Sequence, residues 1–315
     1  MEGSKLNQAN SVINPTPIPF GMAIHPGSVP HQINLLVTDS SPNHRILSVS
    51  LIIIARTTIL ASAGHGPGQV VDPMGIAVDP NTRNIFVADT GNYRVQKFTP
   101  NFVPIKEWGS QGSGDSQFEF PGPMGIAINS NGDIYVADTG NHRVQKFDNN
   151  GVFIMSWGER GSSDGEFITP IGIAVESDDD IVVADAGNDR IQKFKSDGQF
   201  IRRWGQLGSD DGEFRNPHYV AIDSNGDIYV VDPGNSRVQK FDINGNFIKA
   251  WGSFGHLDGQ FIGPRCITFN GLTNSLFVSD PWNKNIQIFT TDGVFRGKVI
   301  FGIILDPQQH SMNRE

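Results

Sequence analysis

Cysteine is almost missing from this chain. The single one, Cys266, rules out an intramolecular disulfide. Long apolar runs are missing as well. The nearest approach, Leu47 to Ala63, is broken by Arg56 and several hydroxyl residues. It falls short of the roughly 20 apolar residues that a membrane span requires. The first twenty residues have no apolar core of a leader peptide, so the expectation is a monomeric, cytoplasmic chain with no membrane partner. Positive charge is scarce: 24 Lys and Arg stand against 33 Asp and Glu, a net charge of −9. That balance disfavours nucleic acid as the default partner, because phosphate binding is driven by cations. There is no GxSxG elbow, phosphate loop, HExxH or CxxC. No long amphipathic helical stretch is present either.

What the chain does have is glycine, 36 residues of it, and a phrase that recurs. YVADTGNHRVQKF spans Tyr135 to Phe147; variants run Phe86–Phe98, Val182–Phe194 and Tyr229–Phe241, with a worn copy at Phe277–Phe289. The Asp before each GN turn serves as a ruler. It falls at Asp89, Asp138, Asp185, Asp232 and Asp280, in steps of 49, 47, 47 and 48 residues. An eroded sixth copy, LVTDSSPNHRI, places Asp39 another 50 residues upstream. Ahead of each Asp lies a segment opening with proline: Pro19, Pro73, Pro123, Pro170, Pro217 and Pro264.

Each unit parses into four short strands. In the third unit, strand A is GIAI (Gly125–Ile128) and strand B is IYVAD (Ile134–Asp138). Strand C is RVQKF (Arg143–Phe147) and strand D is VFIMSW (Val152–Trp157). Asn-Gly between apolar runs is a strong hairpin signal. Strands A and B are almost continuously apolar, so both faces of each sheet are covered. Four-stranded units of this period, none able to bury its own faces, predict an all-β chain: a six-bladed β-propeller with four-stranded antiparallel blades. The expected blades are 19–70, 71–121, 122–168, 169–215, 216–262 and 263–304, between an N-terminal extension (1–18), expected to be flexible, and a C-terminal tail (305–315).

PxGIAV, then DIYVAD, then GNxRVQKF, then WG resembles the NHL-repeat family of six-bladed propellers. The likeness covers six units of six, tight in the second to fifth, looser in the sixth and eroded in the first. The GH…WD pattern of the WD-repeat alternative is absent.

Residues that recur in every unit are expected to serve the blade. Asp39, Asp89, Asp138, Asp185, Asp232 and Asp280 read as turn-formers taking backbone N–H bonds in the B–C loop. Gly140 and its copies read as positive-φ positions. Arg45, Arg94, Arg143, Arg190 and Arg237 read as partners of an Asp or of carbonyls in the adjoining blade. Val144 and Phe147 should face opposite neighbouring blades. Trp108, Trp157, Trp204 and Trp251 should pack between blades. Phe118, Phe167, Phe214 and Phe261 should anchor the D–A connections.

Function is expected where the units differ, on the rim shared by the D–A connections and B–C turns. One variable position follows the strand-A proline: Phe20, Met74, Met124, Ile171, His218 and Arg265. The other precedes the strand-C arginine or its counterpart: His44, Tyr93, His142, Asp189, Ser236 and Lys284. Two rings of this mixed character around a channel mouth suit a protein or peptide ligand. The expectation is therefore a non-catalytic binding scaffold with no cofactor.

Two other readings stay open. The resemblance implies that some relatives, the amidating lyases, hold zinc through histidines on successive blades. His218 matches one such place, but a catalytic zinc needs three protein ligands and the other units hold none. The resemblance also implies that some animal relatives bind single-stranded RNA on a basic face; here Lys97, Lys146, Lys193 and Lys240 lie on strand C, away from the rim. Asp223–Asp227 and Glu176–Asp180 resemble fragments of a calcium loop without its bidentate glutamate. The first unit carries LIIIARTTIL (Leu51–Leu60) and lacks the tryptophan. With Val294–Gly302 as the last strand D, ring closure is expected to rest on packing between first and last blades.

Overall fold

The computed structural model describes residues 19–26, 33–40, 43–50, 57–300 and 303–305. The expected N-terminal extension lies outside them, as do Leu51–Arg56 of the first unit, Phe301–Gly302, and the tail beyond Leu305.

Among the described residues the chain is all-β, with six sheets of up-and-down antiparallel strands and, between them, short single-turn helical segments and a two-residue parallel pair, Ser110–Gln111 with Gln117–Phe118. Blade 3 shows the plan. Strand A is Pro123–Ile128, B is Ile134–Asp138, C is Arg143–Phe147 and D is Phe153–Trp157. The other blades repeat it over 19–63, 73–108, 170–204, 220–251 and 267–300. Blade 1 gains a two-residue parallel strand, Gln69–Val70, and blade 6 gains Ile303–Leu305 against its strand D. That last strand reaches one residue past the expected boundary at 304. No helix of the described residues is long and apolar enough to cross a membrane.

The A strands line an axial channel, a cavity of about 530 Å³ walled by mostly apolar side chains and by strand backbone. In blades 1 to 4, one glycine per strand A sets how closely neighbouring blades approach. A Cβ on Gly21, Gly75, Gly125 or Gly172 would collide with the carbonyl oxygen of Met74, Met124, Ile171 or His218 on the next blade. Each of these strands has a register shift at that point.

The core lies between sheets, not within them. Phe86, Val95 and Trp108 of blade 2 pack on Ile126, Ile134, Val136 and Phe147 of blade 3. Tyr135 and Val144 of blade 3 pack on Ile173, Ile181, Val183 and Phe194 of blade 4. Phe147 thus faces backwards and Val144 forwards, which is why strands B and C are apolar on both sides.

The tryptophans stack across these interfaces. Trp108 lies 5.8 Å from the ring of Phe147 and covers Gly151 in the C–D turn of the next blade. Trp157 covers Gly198, Trp204 covers Gly245 and Trp251 covers Gly293 in the same way. Blade 1 breaks the pattern, with Ala61 in the tryptophan's register. Blade 2 breaks it in the complementary sense, placing Phe102 at φ 61° in the C–D turn where blades 3 to 6 carry Gly151, Gly198, Gly245 and Gly293. Phe102 lies 5.0 Å from Phe98 and in one buried cluster with Ala61. Bulk lost from one blade is restored by the next.

Among the described residues no strand is shared between the two ends of the ring. Closure rests on Met22, Leu35, Val37 and Leu47 of blade 1 packed on Cys266, Phe277, Ile286 and Val299 of blade 6. Burial pushes the Cys266 thiol up to about 12, so it behaves there as a small apolar side chain.

Candidate functional site

The recurring Asp anchors the rim from below. Asp185 is fully buried and accepts bonds from Asn188 Nδ2 (2.8 Å), Arg190 Nε (2.7 Å) and Gln192 Nε2 (3.1 Å). Its other oxygen accepts the backbone N–H of Ile168 at 2.8 Å. Asp89, Asp232 and Asp280 take the N–H of Val71, Arg215 and Ile262 likewise. The expected backbone bonds in the B–C loop are thus corrected: the carboxylate ties down the D–A connection arriving from the preceding blade. Its B–C partners are side chains, except for a 3.4 Å contact from Asn283 N–H to Asp280. The guanidinium of each repeat arginine completes the tie. Arg190 donates to the carbonyls of Ser162, Ser163 and Glu166 as well as to Asp185. Arg45, Arg94, Arg143 and Arg237 bond Asp39, Asp89, Asp138 and Asp232 at 2.6 to 2.9 Å. Burial pushes the carboxyls of Asp138, Asp185 and Asp232 up against these donors.

The glycine of the GN turn is corrected too. Gly140 has no positive φ; it is glycine because a Cβ would strike the carbonyl oxygens of Glu119 and Phe120. The left-handed residue comes two places later. His44, Tyr93, His142, Asp189, Ser236 and Lys284 have φ between 44° and 55°. This was the second set of expected rim contacts, and half of it is occupied in holding the next blade. His44 Nδ1 accepts the N–H of Asp72, His142 Nδ1 that of Thr169, and Asp189 Oδ1 that of Asn216, at 3.0, 3.1 and 2.6 Å. Burial and the nearby Arg160 hold the His142 imidazole below its ordinary range, which keeps Nδ1 an acceptor. Tyr93 packs against the cluster containing Trp108 and Phe118. Ser236 is buried, whereas Lys284 is exposed.

The inner set is brought together. Met74, Met124, Ile171 and His218 follow one another around the mouth, each backbone against the glycine of the blade before. In blades 5 and 6 that glycine is replaced by Tyr219 and Cys266, and strand A begins only at Val220 and Ile267. Tyr219 reaches across the channel towards the carbonyl of Met124 on blade 3, 3.4 Å away. His218 is 5 % exposed, 3.0 Å from Asn216 Nδ2 and 3.2 Å from the Arg265 guanidinium. Burial, assisted by that cation, holds its imidazole down to about 3, so it is neutral. Arg265 in turn lies 5.7 Å from the ring centre of Phe20.

Beside Arg265 opens a cavity of about 360 Å³, walled by Phe20, Ser40, Asp72, Met74, Pro281 and Trp282. It sits where blade 6 meets blades 1 and 2. Trp282 takes the place of the glycine in the GN turn and is 66 % exposed, lying over Gly263. Asn283 bonds the carbonyl of Gly255, so the connection bearing exposed Phe254 and Leu257 lies alongside. Sequence reasoning missed Trp282, Tyr219 and Asp72. The signal was available: PWN for PGN, and PHY and PRC for PxG.

The described residues around His218 do not fit a zinc ion. The other units supply Phe20, Met74, Met124, Ile171 and Arg265 at this place, and a guanidinium beside the imidazole opposes a metal cation. Glu176, Asp178 and Asp180 cluster closely enough to share a cation. Lys193 Nζ already bonds Glu176 and Asp180, and Lys195 Nζ is 2.8 Å from Asp180, so the protein supplies its own cations there. The strand-C lysines are engaged at the face opposite the rim: Lys97 on Asn149, Lys146 on Asp133 and Lys240 on Asp227.

The NHL repeat family model matches residues 71–98, 120–147, 167–194 and 214–241, the tight units. No curated protein matches in sequence. Among solved structures, a streptogramin B lyase superposes with a TM-score of 0.63 at 15% identity, over 90% of this chain and 83% of that one. A catalytically inactive virginiamycin B lyase from Staphylococcus aureus with quinupristin gives 0.62 at 14%, over 93% and 87%. A nidogen/laminin complex gives 0.61 at 15%, over 85% and 92%. At such identities the likeness concerns the fold alone. Four matched repeats within a ring of six like blades make this chain an NHL-repeat β-propeller.

Proposed function

We propose that the rim above blades 5, 6 and 1 is a protein- or peptide-binding face, and that the propeller works as a non-catalytic scaffold. The observation that carries this is the surface around Trp282. Phe254, Leu257 and Trp282 are 73, 72 and 66 % exposed, and they adjoin an apolar pocket with Arg265 in its wall. Aromatic residues and arginine are enriched at interface centres and dominate their energetics. The nidogen/laminin structure supports the reading to the extent that a similar ring occurs in a protein complex. A lyase reading lacks a ligand set at His218, and an RNA reading is opposed by the net charge of −9 and by strand-C lysines engaged away from the rim.

The test is selection of displayed peptides against the purified ring. Selected peptides are expected to lose binding to Trp282→Gly and to Phe254→Ser with Leu257→Ser. Peptides that bind those variants as well as wild type would remove the reading. Trp282→Gly recreates the PGN turn of blade 5, so its folding is not at issue.

A further inference from the structure

We infer that the pocket beside Arg265 captures the free C-terminal carboxylate of a peptide whose last side chain is apolar; the inference rests on the rim reading above.

Arg265 is a charge that has no opposite. Among the described residues no carboxylate lies within ion-pair distance of the Arg265 guanidinium. Its neighbours are the neutral His218 and the face of Phe20. The five repeat arginines all have an Asp; Arg265 has none, and among the described residues the other arginines without an ion pair are exposed whereas Arg265 is partly buried. A partly buried cation without an anion is costly to hold unless something supplies one. The guanidinium fork matches a carboxylate in two parallel hydrogen bonds. His218 and Phe20 fix its orientation, so little freedom is lost on binding.

The rest of the pocket selects the carboxylate's bearer. Phe20, Met74, Pro281 and Trp282 present mostly apolar surface. About 360 Å³ holds roughly one large residue and little more. The ligand must therefore bring its negative charge and an apolar group on the same residue. A C-terminal residue does so, with carboxylate and side chain on one Cα and the chain leaving in one direction. An internal Asp or Glu brings only methylenes, and its backbone must continue both ways past the walls. Asp72 is the one carboxylate in the wall, and it lies 3.1 Å from His44. It repels any negative charge beside it, so the ligand's one carboxylate has to sit on the Arg265 side and a second is penalised. The exposed Trp282, Phe254 and Leu257 then line the path by which the peptide leaves.

The experiment uses fluorescein-labelled heptapeptide pools, random except for a terminal Phe or Leu. They are compared as free acids and as C-terminal amides by fluorescence polarisation. A third pool carries an internal Glu and an amidated end. The free-acid pools should bind at least about tenfold better than the amides, the weight of one charge-assisted hydrogen bond. That preference should vanish in Arg265→Gln and fall part-way in Arg265→Lys, which keeps charge but loses the fork. Near-ultraviolet circular dichroism checks that each variant retains wild-type packing. Acid and amide pools binding equally, with both lost in Trp282→Gly, would overturn the carboxylate inference and leave the rim reading standing. Equal or better binding of the internal-Glu pool overturns it too. No binding by any pool sinks the carboxylate inference; the displayed-peptide selection then decides the rim reading separately.

Discussion

A buried carboxylate holds each turn of the rim, with four hydrogen-bonding partners at Asp89, Asp185 and Asp232, and its removal strands all of them. Asp185→Ala leaves the Arg190 guanidinium, Gln192, Asn188 and the Ile168 N–H without their acceptor. Breaking such a buried pair from one side costs about 3–5 kcal/mol. The urea midpoint should fall accordingly with an unchanged slope. His218 makes a second test. Its imidazole is held at about 3 in the folded ring against an ordinary 6.5. Between those values the unfolded chain binds a proton that the folded ring refuses, so His218 makes stability fall as pH drops from about 6.5 towards 3. The slope from one group is at most about 1.4 kcal/mol per pH unit. In His218→Gln the stability–pH curve should be flatter across that window; an unchanged curve would remove the assignment.

Residue roles were legible where they recur. Copies of one phrase placed six Asp, five Arg and four Trp in equivalent positions. What the copies could not show was direction. His142 and Asp189 look like surface variables in the sequence, yet each accepts an N–H from the next blade. Two unlike side chains serve one purpose because only an acceptor lone pair is required, a property that spans residue types.

The blade interface is the unit of packing. Trp–Gly pairs recur at four interfaces, and Ala61–Phe102 replaces them at the first. Phe102→Gly should cost about 3–5 kcal/mol through the cavity it opens. Ala61→Trp alone should also destabilise, because its indole would meet Phe102. Combined, the two changes rebuild the common pair, so the double variant should be markedly more stable than either single predicts by addition. A thermodynamic cycle measured by denaturant unfolding gives that coupling directly. Additive effects would mean that the two side chains do not share one space. The sequence showed the missing tryptophan but not its replacement, since the compensating phenylalanine lies on a different repeat, where it reads as an ordinary turn variation.

Over the whole molecule, ring number and strand order were readable because period and two-sided burial are properties of the chain alone. The site was less readable, since it forms where blades 1, 2 and 6 meet and their residues are far apart in sequence. Charge acts at this scale too. With −9 overall and the strand-C lysines engaged away from the rim, single-stranded poly(U) should show no salt-sensitive retention at about 50 mM salt. Retention that weakens steeply with added salt would reverse that expectation.

Among the described residues the circle is completed by side-chain packing with no strand crossing from end to end, which makes it a split washer rather than a welded hoop. The cavity at Arg265 straddles the split, with Phe20 on one lip and Trp282 on the other. Whatever lodges there works as a rivet. By mass action, tight occupancy and resistance to springing open are then a single free energy seen from two sides.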